Sequence, residues 1–335
     1  MDELNALSLS ELYEALNARG LVRKLMELAA EEDLGERNSG SGDPTTELTV
    51  PEKARCEATV VAREDGVVAG LAAVGDVLDV FAPAVLFRPL KQDGQHVTAG
   101  TSIGMLLGSM RQILAAERTL LNLLGRCMGV ASTTSRYVAA AGTDVHILDT
   151  RKTTPGMRVL EKYSVRCGGG FCHRVGLFDA VMIKDNHVAG KSPSEFAETV
   201  IEFAEKVAPR RANEGGSVRF VEVEVDTLEQ FDALLTLPTG LVDIVLLDNM
   251  TPDQISHAVA RRNDAESPMK LEASGGITMR NIREYAETGV DRMSLGAVTH
   301  QATWLDVGLD VRVVHLAPPT TVQVDVENDS ASASA

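Results

Sequence analysis

Positively charged residues are concentrated in one stretch of an otherwise acidic chain. The formal net charge is −16, yet residues 151–187 hold seven Lys or Arg residues against three acids. The bases are Arg151, Lys152, Arg158, Lys162, Arg166, Arg174 and Lys184. Cations gathered in a cleft attract anionic ligands strongly. The stretch therefore predicts a pocket for a small polyanion, with His173 and His187 as additional donors.

Arg151 and Lys152 directly follow the apolar run VHILD, and the turn-forming residues TTPG come next. A guanidinium beside an ammonium can bind a carboxylate or a phosphate. The alternative is a solvated surface loop. The position of the pair inside the basic stretch favours the binding function.

Three glycines, at 168–170, precede Cys172, His173 and Arg174. Backbone amides in such a loop can surround an anion while the histidine and arginine supply charge. A glycine run can equally end the helix before it. Lys184, in IKDNH, is open to three interpretations: a Schiff-base nucleophile, a phosphate ligand or an exposed side chain.

Two carboxylates, Glu224 and Asp248, end the apolar runs VEVEVD and VLLDN. Paired carboxylates facing one cleft can hold ribose hydroxyls or Mg²⁺, or stabilise a carbocation-like transition state. A structural salt bridge is the alternative for each. Glu222 lies on the same strand face as Glu224, so either could be the inward group.

Six short apolar runs alternate with helical stretches from about residue 143 onward, and polar or small residues follow each run. The runs are VHILD, AVMIKD, RFVEVEVD, DIVLLDN, MKLEASGG and DRMSLG. This rhythm predicts a parallel α/β barrel, whose active site lies at the carboxyl ends of its strands. The last two runs end in Ser274 and Gly275 and in Gly296, which suit a phosphate site late in a barrel.

The region before the barrel is predicted to be α+β. The first 35 residues have helical spacing, and residues 55–64 and 67–74 have strand patterns. Residues 111–125 form an amphipathic helix, and 129–141 continue it. The tail beyond Leu316 is rich in Pro, Ser and acids, which predicts disorder.

Composition argues against several classes of partner. The chain has nine lysines and 23 arginines against 48 acids. This acidity disfavours a nucleic-acid partner and is consistent with a protein from a high-salt cytoplasm. No apolar run approaches the roughly 18 residues of a membrane span, which predicts no membrane partner. Four scattered cysteines are too few for a disulfide framework and predict reduced thiols in a cytoplasmic protein.

Seven ordered motifs resemble those of the quinolinate phosphoribosyltransferase family. They are RKTTPG, GGG-x-x-HR-x-GL, IKDNH, EVEVD, LLDN, EASGG and SLGAVTH, and the likeness spans most of residues 20–310. The resemblance implies a type II phosphoribosyltransferase fold. It comprises an N-terminal α/β sandwich domain (1–128), an open seven-stranded α/β barrel (129–300), a segment returning to the first domain (301–316) and an acidic tail (317–335).

The same resemblance implies an activity and its participants. Quinolinate and 5-phosphoribosyl-1-pyrophosphate would give nicotinate mononucleotide, pyrophosphate and CO₂ with Mg²⁺, in a homodimer or a larger dimer-based oligomer. The implied quinolinate ligands are Arg151, His173, Arg174 and Lys184, with Arg118 reaching in from the partner subunit. The implied catalytic and phosphoribosyl residues are Lys152, Lys184, Glu224 and Asp248, the two acids also facing the metal through pyrophosphate. Ser274, Gly275, Gly296 and His300 would surround the 5-phosphate.

One position departs from the family pattern, and three other functions stay open. The family usually has Asn where this chain has Cys172, and a thiol is a poorer hydrogen-bonding group than an amide. The alternatives are a relative using another pyridine carboxylate, a Schiff-base aldolase at Lys184 and a non-catalytic binding protein on the same scaffold. Without a substrate, Arg118 would be a helix-surface residue paired with Glu117 or a neighbour.

Overall fold

The computed structural model describes residues 2–35, 42–142, 144–188, 190–212 and 218–313; the tail predicted at 317–335 lies outside them. Its helices are α1 (Asp2–Ala6), α2 (Leu9–Asn17), α3 (Leu21–Leu34), α4 (Pro44–Thr49), α5 (Val74–Phe81), α6 (Met110–Ala141), α7 (Arg158–Cys167), α8 (Asp185–Val188), α9 (Pro193–Ala212), α10 (Leu228–Leu235), α11 (Pro252–Asp264), α12 (Ile282–Ala286) and α13 (Ala297–His300). Its strands are β1 (Arg55–Ala62), β2 (Gly66–Val67), β3 (Leu86–Pro89), β4 (His96–Val97), β5 (Ser102–Ser109), β6 (His146–Leu148), β7 (Val181–Ile183), β8 (Val221–Val225), β9 (Ile244–Asp248), β10 (Lys270–Ser274), β11 (Arg292–Ser294) and β12 (Val307–Val313).

The predicted N-terminal helical region is confirmed, and it consists of three helices, α1 to α3. A capping box between Ser8 and Glu11 starts α2, which buries Leu12 and Leu16. Helix α2 packs against α7 of the barrel, while α3 packs against α5. The first helices therefore touch the element that carries part of the basic stretch.

An antiparallel sheet in the order β12-β1-β5-β3 forms the smaller layer. Strand β1 lies at its centre, and alternate β1 residues such as Ala58 and Val60 are buried. Strand β12, from the end of the described chain, pairs antiparallel with β1, with Val307 opposite Ala62. The chain thus returns to its first sheet after the barrel.

The predicted strand at 67–74 is wrong. Only Gly66–Val67 is extended, Leu71–Ala73 forms a 3₁₀ turn, and α5 begins at Val74. Val74, Val77, Leu78 and Phe81 are buried together. These residues are spaced i, i+3, i+4 and i+7, as on one face of a helix. Three of the four lie beyond residue 74, outside the run that was predicted to be a strand.

Helix α6 joins the two layers. It covers residues 110–141 without a break, so both predicted helical segments are confirmed as one helix. A Cβ on Gly129 would lie 2.0 Å from the carbonyl oxygen of Thr303. Glycine at this position lets the segment before β12 pack directly on the helix backbone.

Six parallel strands form the barrel sheet in the order β6-β11-β10-β9-β8-β7, and all six predicted strands are confirmed. Their apolar residues, including Val223, Val245 and Leu247, are buried in one core. Phe171 adds a seventh parallel segment through a single bridge to Leu148, next to β6. All carboxyl ends of a parallel barrel meet at one face, which is where this sequence places its polar residues.

No helix in the described ranges combines the length and the apolar character that crossing a bilayer requires.

Candidate active site

A cleft of about 480 Å³ opens at the carboxyl ends of the barrel strands. Nine residues predicted from the sequence line it: Arg151, Lys152, His173, Arg174, Lys184, Glu224, Asp248, Ser274 and Gly275. They come from six separate segments of the chain, between residues 151 and 275. The parallel sheet therefore brings together side chains that the sequence keeps far apart.

Gly296 and His300 lie at the edge of this cleft. A Cβ on Gly296 would meet the Lys152 side chain at 2.8 Å and the His300 ring at 3.0 Å. The Thr299 hydroxyl donates to the Lys152 carbonyl at 2.7 Å, which ties this turn to the Lys152 loop. Arg118, by contrast, is exposed on α6 and is not among the residues that line the cleft of its own chain.

One side of the cleft is cationic. Arg174 is 7 % exposed, and the Nε of Arg151 is buried without a hydrogen-bond partner among the described residues. Burial, followed by the nearby Arg151 guanidinium, lowers the pKa of Arg174 against the opposing effect of Glu222. A buried donor without a partner and two clustered guanidiniums are costly unless an anion completes the site.

The other side of the cleft is acidic. The Lys184 ammonium lies 2.5 Å from Oε2 of Glu224. Burial, then the charges of Glu224 and Asp226, raises the pKa of Asp248, which Lys184 and Lys152 counteract. A Schiff-base role would require Lys184 to give up its ion pair with Glu224, so the geometry disfavours the aldolase interpretation.

The alternation of β8 places both of its glutamates on the inward face. Glu224 lines the cleft, whereas Glu222 is fully buried one layer deeper. There, Oε2 of Glu222 lies 3.1 Å from Nε2 of His173. The cleft carboxylate is therefore Glu224, and Glu222 belongs to the barrel interior.

Two family models match the chain one after the other. The model for the quinolinate phosphoribosyl transferase N-terminal domain matches residues 43–128, and that for its C-terminal domain matches 130–310. The chain belongs to the quinolinate phosphoribosyltransferase family.

Individual relatives agree with this assignment. The chain is 40% identical over 274 residues to the nicotinate-nucleotide pyrophosphorylase [carboxylating] of Mycobacterium leprae, covering 80% of this chain and 91% of that protein. It is 38% identical to a probable enzyme of the same name from Bacillus subtilis, covering 81% and 89%. The solved nicotinate-nucleotide pyrophosphorylase of Francisella tularensis superposes with a TM-score of 0.75 at 34% identity, over 88% of this chain and 96% of that one. The type II phosphoribosyltransferase fold is thereby confirmed.

Three bases of the stretch do not face the cleft of this quinolinate phosphoribosyltransferase family member. Lys162 is fully buried and forms an ion pair with Asp149. Arg158 donates to the Thr153 hydroxyl, and Arg166 donates to the Gly170 carbonyl at 3.0 Å. The prediction that the whole basic stretch converges on one pocket is wrong for these three side chains, which stabilise the loops behind it.

The glycine run has a structural rather than an anion-binding role. The amides of Gly168, Gly169 and Gly170 donate to carbonyls of the preceding helix, at Ser164, Arg166 and Val165. A Cβ on Gly168 would lie 2.3 Å from the Ala131 carbonyl of α6. The glycines therefore end α7 and allow it to pack closely on α6, so the predicted anion loop is wrong.

Asn5 holds the loop at Cys172, where the family usually has asparagine. Its Oδ1 accepts from the Cys172 N–H at 2.8 Å, and its Nδ2 donates to the Cys172 carbonyl at 3.1 Å. The thiol itself is buried, near the Lys162 carbonyl at 3.7 Å. An amide from α1 thus fixes the backbone that leads into His173.

A buried arginine, which the sequence did not single out, connects two site loops. Arg126 donates to Oε1 of Glu161 and to the carbonyls of Thr299 and Ala302. The other oxygen of Glu161 accepts from the Thr154 N–H at 3.1 Å. Arg126 therefore couples the Lys152 loop to the turn at Gly296–His300 from below.

Five other residues line the cleft without having been predicted: Thr150, Met182, Leu246, Asn249 and Ser294. Asn249 has a positive φ of 52° and donates from Nδ2 to Oδ2 of Asp248 at 2.6 Å. Its signal was present as the Asp-Asn pair at a strand end, because Asn tolerates left-handed backbone better than most residues. Met182 and Leu246 have no sequence feature that marks them as site residues, apart from their inward positions on strands.

Proposed function

We propose that this protein transfers the phosphoribosyl group of 5-phosphoribosyl-1-pyrophosphate to quinolinate, releasing pyrophosphate and CO₂ and forming nicotinate mononucleotide. The observation that carries the proposal is the division of one cleft into an arginine pair, Arg151 and Arg174, and a carboxylate pair, Glu224 and Asp248. The arginine pair suits a planar dianionic acid, and the carboxylate pair suits a ribose that develops positive charge. Family membership supports the same reaction.

Charge complementarity supports quinolinate as the acceptor. Four cations and two carboxylates line the cleft, which leaves a formal charge of +2. Quinolinate is a dianion, whereas nicotinate carries one negative charge. The unpaired Nε of Arg151 and the partly desolvated Arg174 are available for its two carboxylates, because guanidinium binds carboxylate through paired N–H donors.

The carboxylates act on the transferred ribose. As pyrophosphate departs, positive charge builds at the ribose C1, which Glu224 and Asp248 stabilise while holding its hydroxyls. Lys152 and Lys184 neutralise the phosphates, and Ser274, Gly275, Gly296 and His300 surround the 5-phosphate. The pyridine nitrogen then forms a bond to C1 and becomes cationic.

Decarboxylation follows from that new cation. The bond between ring C2 and its carboxylate breaks, CO₂ leaves, and the electron pair remains on C2 beside the positive nitrogen. The electron pair on C2 then takes up a proton from water, so that hydrogen replaces the carboxylate. The protein contributes position and field here, because the cationic ring stabilises the electron pair without an added base.

Mg²⁺ fits the acidic side of the cleft. Glu224 and Asp248 offer only oxygen donors to a metal. Lys184 contacts Oε2 of Glu224, and Asn249 donates to Oδ2 of Asp248. Mg²⁺ commonly binds one or two carboxylates together with substrate phosphates. When bound, the ion would neutralise pyrophosphate as it leaves.

Product analysis tests the proposal directly. Purified protein, quinolinate labelled with ¹³C in the 2-carboxylate, phosphoribosyl pyrophosphate and Mg²⁺ are expected to give unlabelled nicotinate mononucleotide and ¹³CO₂ by mass spectrometry. Turnover of nicotinate but not quinolinate would instead indicate a related acceptor. Absence of any nucleotide product, with folded protein confirmed by circular dichroism, would overturn the proposal.

A homodimer is part of the proposal. An apolar groove of about 770 Å³ adjoins the 154–158 loop behind the cleft. Leu28 and Phe178 line it and are each 54 % exposed, and Leu21 beside them is 44 % exposed. Large contiguous apolar surface of this kind indicates a protein interface. A second copy covering it would also allow an exposed Arg118 to enter the neighbouring cleft.

Leu28→Asp is expected to dissociate the dimer, because it places a charge in the apolar groove. Light scattering coupled to size-exclusion chromatography should show a monomer, with at least a tenfold loss of activity. Leu48→Asp is the matched control, since Leu48 is 87 % exposed outside the groove. An unchanged dimer in Leu28→Asp, or equal dissociation in both variants, would contradict the assignment of this surface.

Sharing of the active site between subunits predicts complementation. Arg118→Ala and Arg174→Ala homodimers should each be nearly inactive, yet subunit exchange should restore about a quarter of the wild-type activity. Half of the dimers would then be mixed, and each would contain one intact site. Verified exchange without recovery would place both arginines in the same subunit's site or remove Arg118 from it.

We also propose a cytoplasmic location. All four cysteines are free and buried, as suits a reducing compartment.

A further inference from the structure

A row of buried charges crosses the barrel interior directly beneath the cleft. It consists of Glu222 on β8, His173, Glu272 on β10 and Arg292 on β11, and each is at most 3 % exposed. Nε2 of His173 lies 3.1 Å from Glu222 and 3.3 Å from Glu272. Nε of Arg292 lies 2.5 Å from Oε2 of Glu272. The row therefore links the histidine loop to three strands.

Three members of the row sit two residues before a cleft residue of the same strand. Glu222 precedes Glu224, Glu272 precedes Ser274, and Arg292 precedes Ser294. Strand alternation directs all of them into the barrel, one layer below the substrate cleft. Barrel interiors are usually filled by Val, Ile and Leu, so charges in this layer need a reason other than packing.

Stability is a poor reason for this row. Replacing a buried ion pair with apolar side chains of similar volume is often neutral or stabilising, since desolvation cancels much of the attraction. A bound cation is also disfavoured, although the donors of His173, Glu222 and Glu272 lie within 4.8 Å of one another. Arg292 already supplies the positive charge that a cation would bring.

The contacts of His173 show what the row positions. Nδ1 accepts the N–H of Arg174 at 2.7 Å, and the His173 N–H donates to Asp149 at 2.9 Å. Both ring nitrogens are thus engaged by protein groups. Burial lowers the pKa of His173, and the carboxylates of Glu222 and Glu272 raise it by favouring a proton on Nε2. The Arg174 N–H opposes a second ring proton, because Nδ1 can accept it only when the ring is neutral. This geometry therefore retains a single ring proton, on Nε2.

We propose that the row Glu222–His173–Glu272–Arg292 is a positioning device, in which the His173 ring fixes the Arg174 main chain rather than binding quinolinate itself. Glu222 and Glu272 orient the ring through Nε2, and its Nδ1 holds the residue that supplies the guanidinium. The row also places negative charge below two clustered arginines, which favours their approach before an anionic ligand arrives. This inference rests on the proposed function.

Removing the ion pair at the far end of the row tests the proposal. Glu272 also forms a side-chain hydrogen bond with Ser294 of the cleft, so binding of phosphoribosyl pyrophosphate serves as the internal control. Glu272→Gln alone removes the negative charge beside the buried Arg292, and it can fail to fold for that reason. The double variant Glu272→Met with Arg292→Met removes both charges at similar volume. It is expected to keep its thermal midpoint within a few degrees but to weaken quinolinate binding about tenfold by calorimetry. Phosphoribosyl pyrophosphate binding should stay within twofold.

Asp291→Asn, directly before the same strand, is the matched control. Asp291 precedes β11 at the opposite end of the barrel, where it accepts from Arg262 and from the Leu271 N–H. Its loss should lower the thermal midpoint and leave quinolinate affinity unchanged. Equal quinolinate affinity in the wild type and the double variant would overturn the positioning role. Failure of the wild type to bind quinolinate at all would instead reject the proposed function.

Substitutions of His173 separate positioning from direct contact. Asn places an acceptor oxygen where Nδ1 stood, so His173→Asn should bind quinolinate several-fold more tightly than His173→Leu. Equal loss of affinity in both variants would contradict the main-chain contact as the function of the ring.

Discussion

Arg174→Ala is expected to weaken quinolinate binding by about 100-fold, or roughly 3 kcal/mol, which is typical for loss of a buried charge partner. Arg174 is 7 % exposed and lies close to Arg151, so the quinolinate carboxylates would be poorly solvated once it is removed. Affinity for phosphoribosyl pyrophosphate should change little, because its proposed ligands lie on the other side of the cleft. Calorimetric titration with each substrate measures the two effects separately.

Arg174→Lys refines this expectation. Lysine keeps the charge but lacks the planar pair of donors, so its affinity should fall between those of the wild type and alanine variants. Arg283→Ala, which removes an exposed ion pair with Glu287 on α12, should bind both substrates normally. Equal affinity of Arg174→Ala and the wild type for quinolinate would remove Arg174 from the acceptor site.

The position of the site could be predicted because parallel strands gather their carboxyl ends. Each of the six apolar runs ends near a polar or small residue, and the sheet assembles those ends at one face whatever their order in the chain. Lys184, Glu224 and Asp248 can be predicted as site residues on this ground, from the sequence alone. Parallel strands that are buried on both faces read as short, nearly continuous apolar runs, and this signal is local to each strand.

The direction of the charged side chains within the basic stretch was harder to predict. Lys162 and Arg174 belong to the same basic stretch, yet Lys162 pairs with Asp149 inside the protein while Arg174 lines the cleft. A count of charges along the chain does not show which helix face packs inward. Asp149, the ion-pair partner of Lys162, directly follows β6 and resembles another cleft residue in the sequence.

The buried row beneath the cleft was missed for a related reason. Glu272 and Arg292 interrupt apolar strands at positions that alternation assigns to the interior. A charged residue at an interior strand position can be recognised in the sequence. Its partner lies on another strand, however, and only the order of strands in the sheet identifies that partner. Glu222 is one of two candidates that the sequence offers for the inward carboxylate, and it lies one layer below the cleft that Glu224 lines.

Glu224→Gln is expected to lower kcat by about 10²- to 10³-fold, the usual cost of losing one group that stabilises charge in a transition state. Glu224 faces the proposed ribose position and is 7 % exposed, so water cannot replace its charge there. Quinolinate affinity should change less than twofold, because the arginine pair is intact. Single-turnover measurements at saturating substrates isolate the chemical step from binding and release.

The pH profile distinguishes this loss from an indirect effect on Asp248. Burial and then Glu224 raise the pKa of Asp248, while Lys184 lowers it. Removing the Glu224 charge, and freeing Lys184 to face Asp248, should lower that pKa, so Asp248 stays ionised to a lower pH than in the wild type. The acid limb of kcat should therefore move to lower pH even though the plateau falls.

Asp226→Asn, which removes an exposed carboxylate just beyond the same strand, should shift the limb in the same direction while keeping most of the plateau. A Glu224→Gln plateau equal to that of Asp226→Asn would mean that Glu224 acts only through the ionisation of its neighbour.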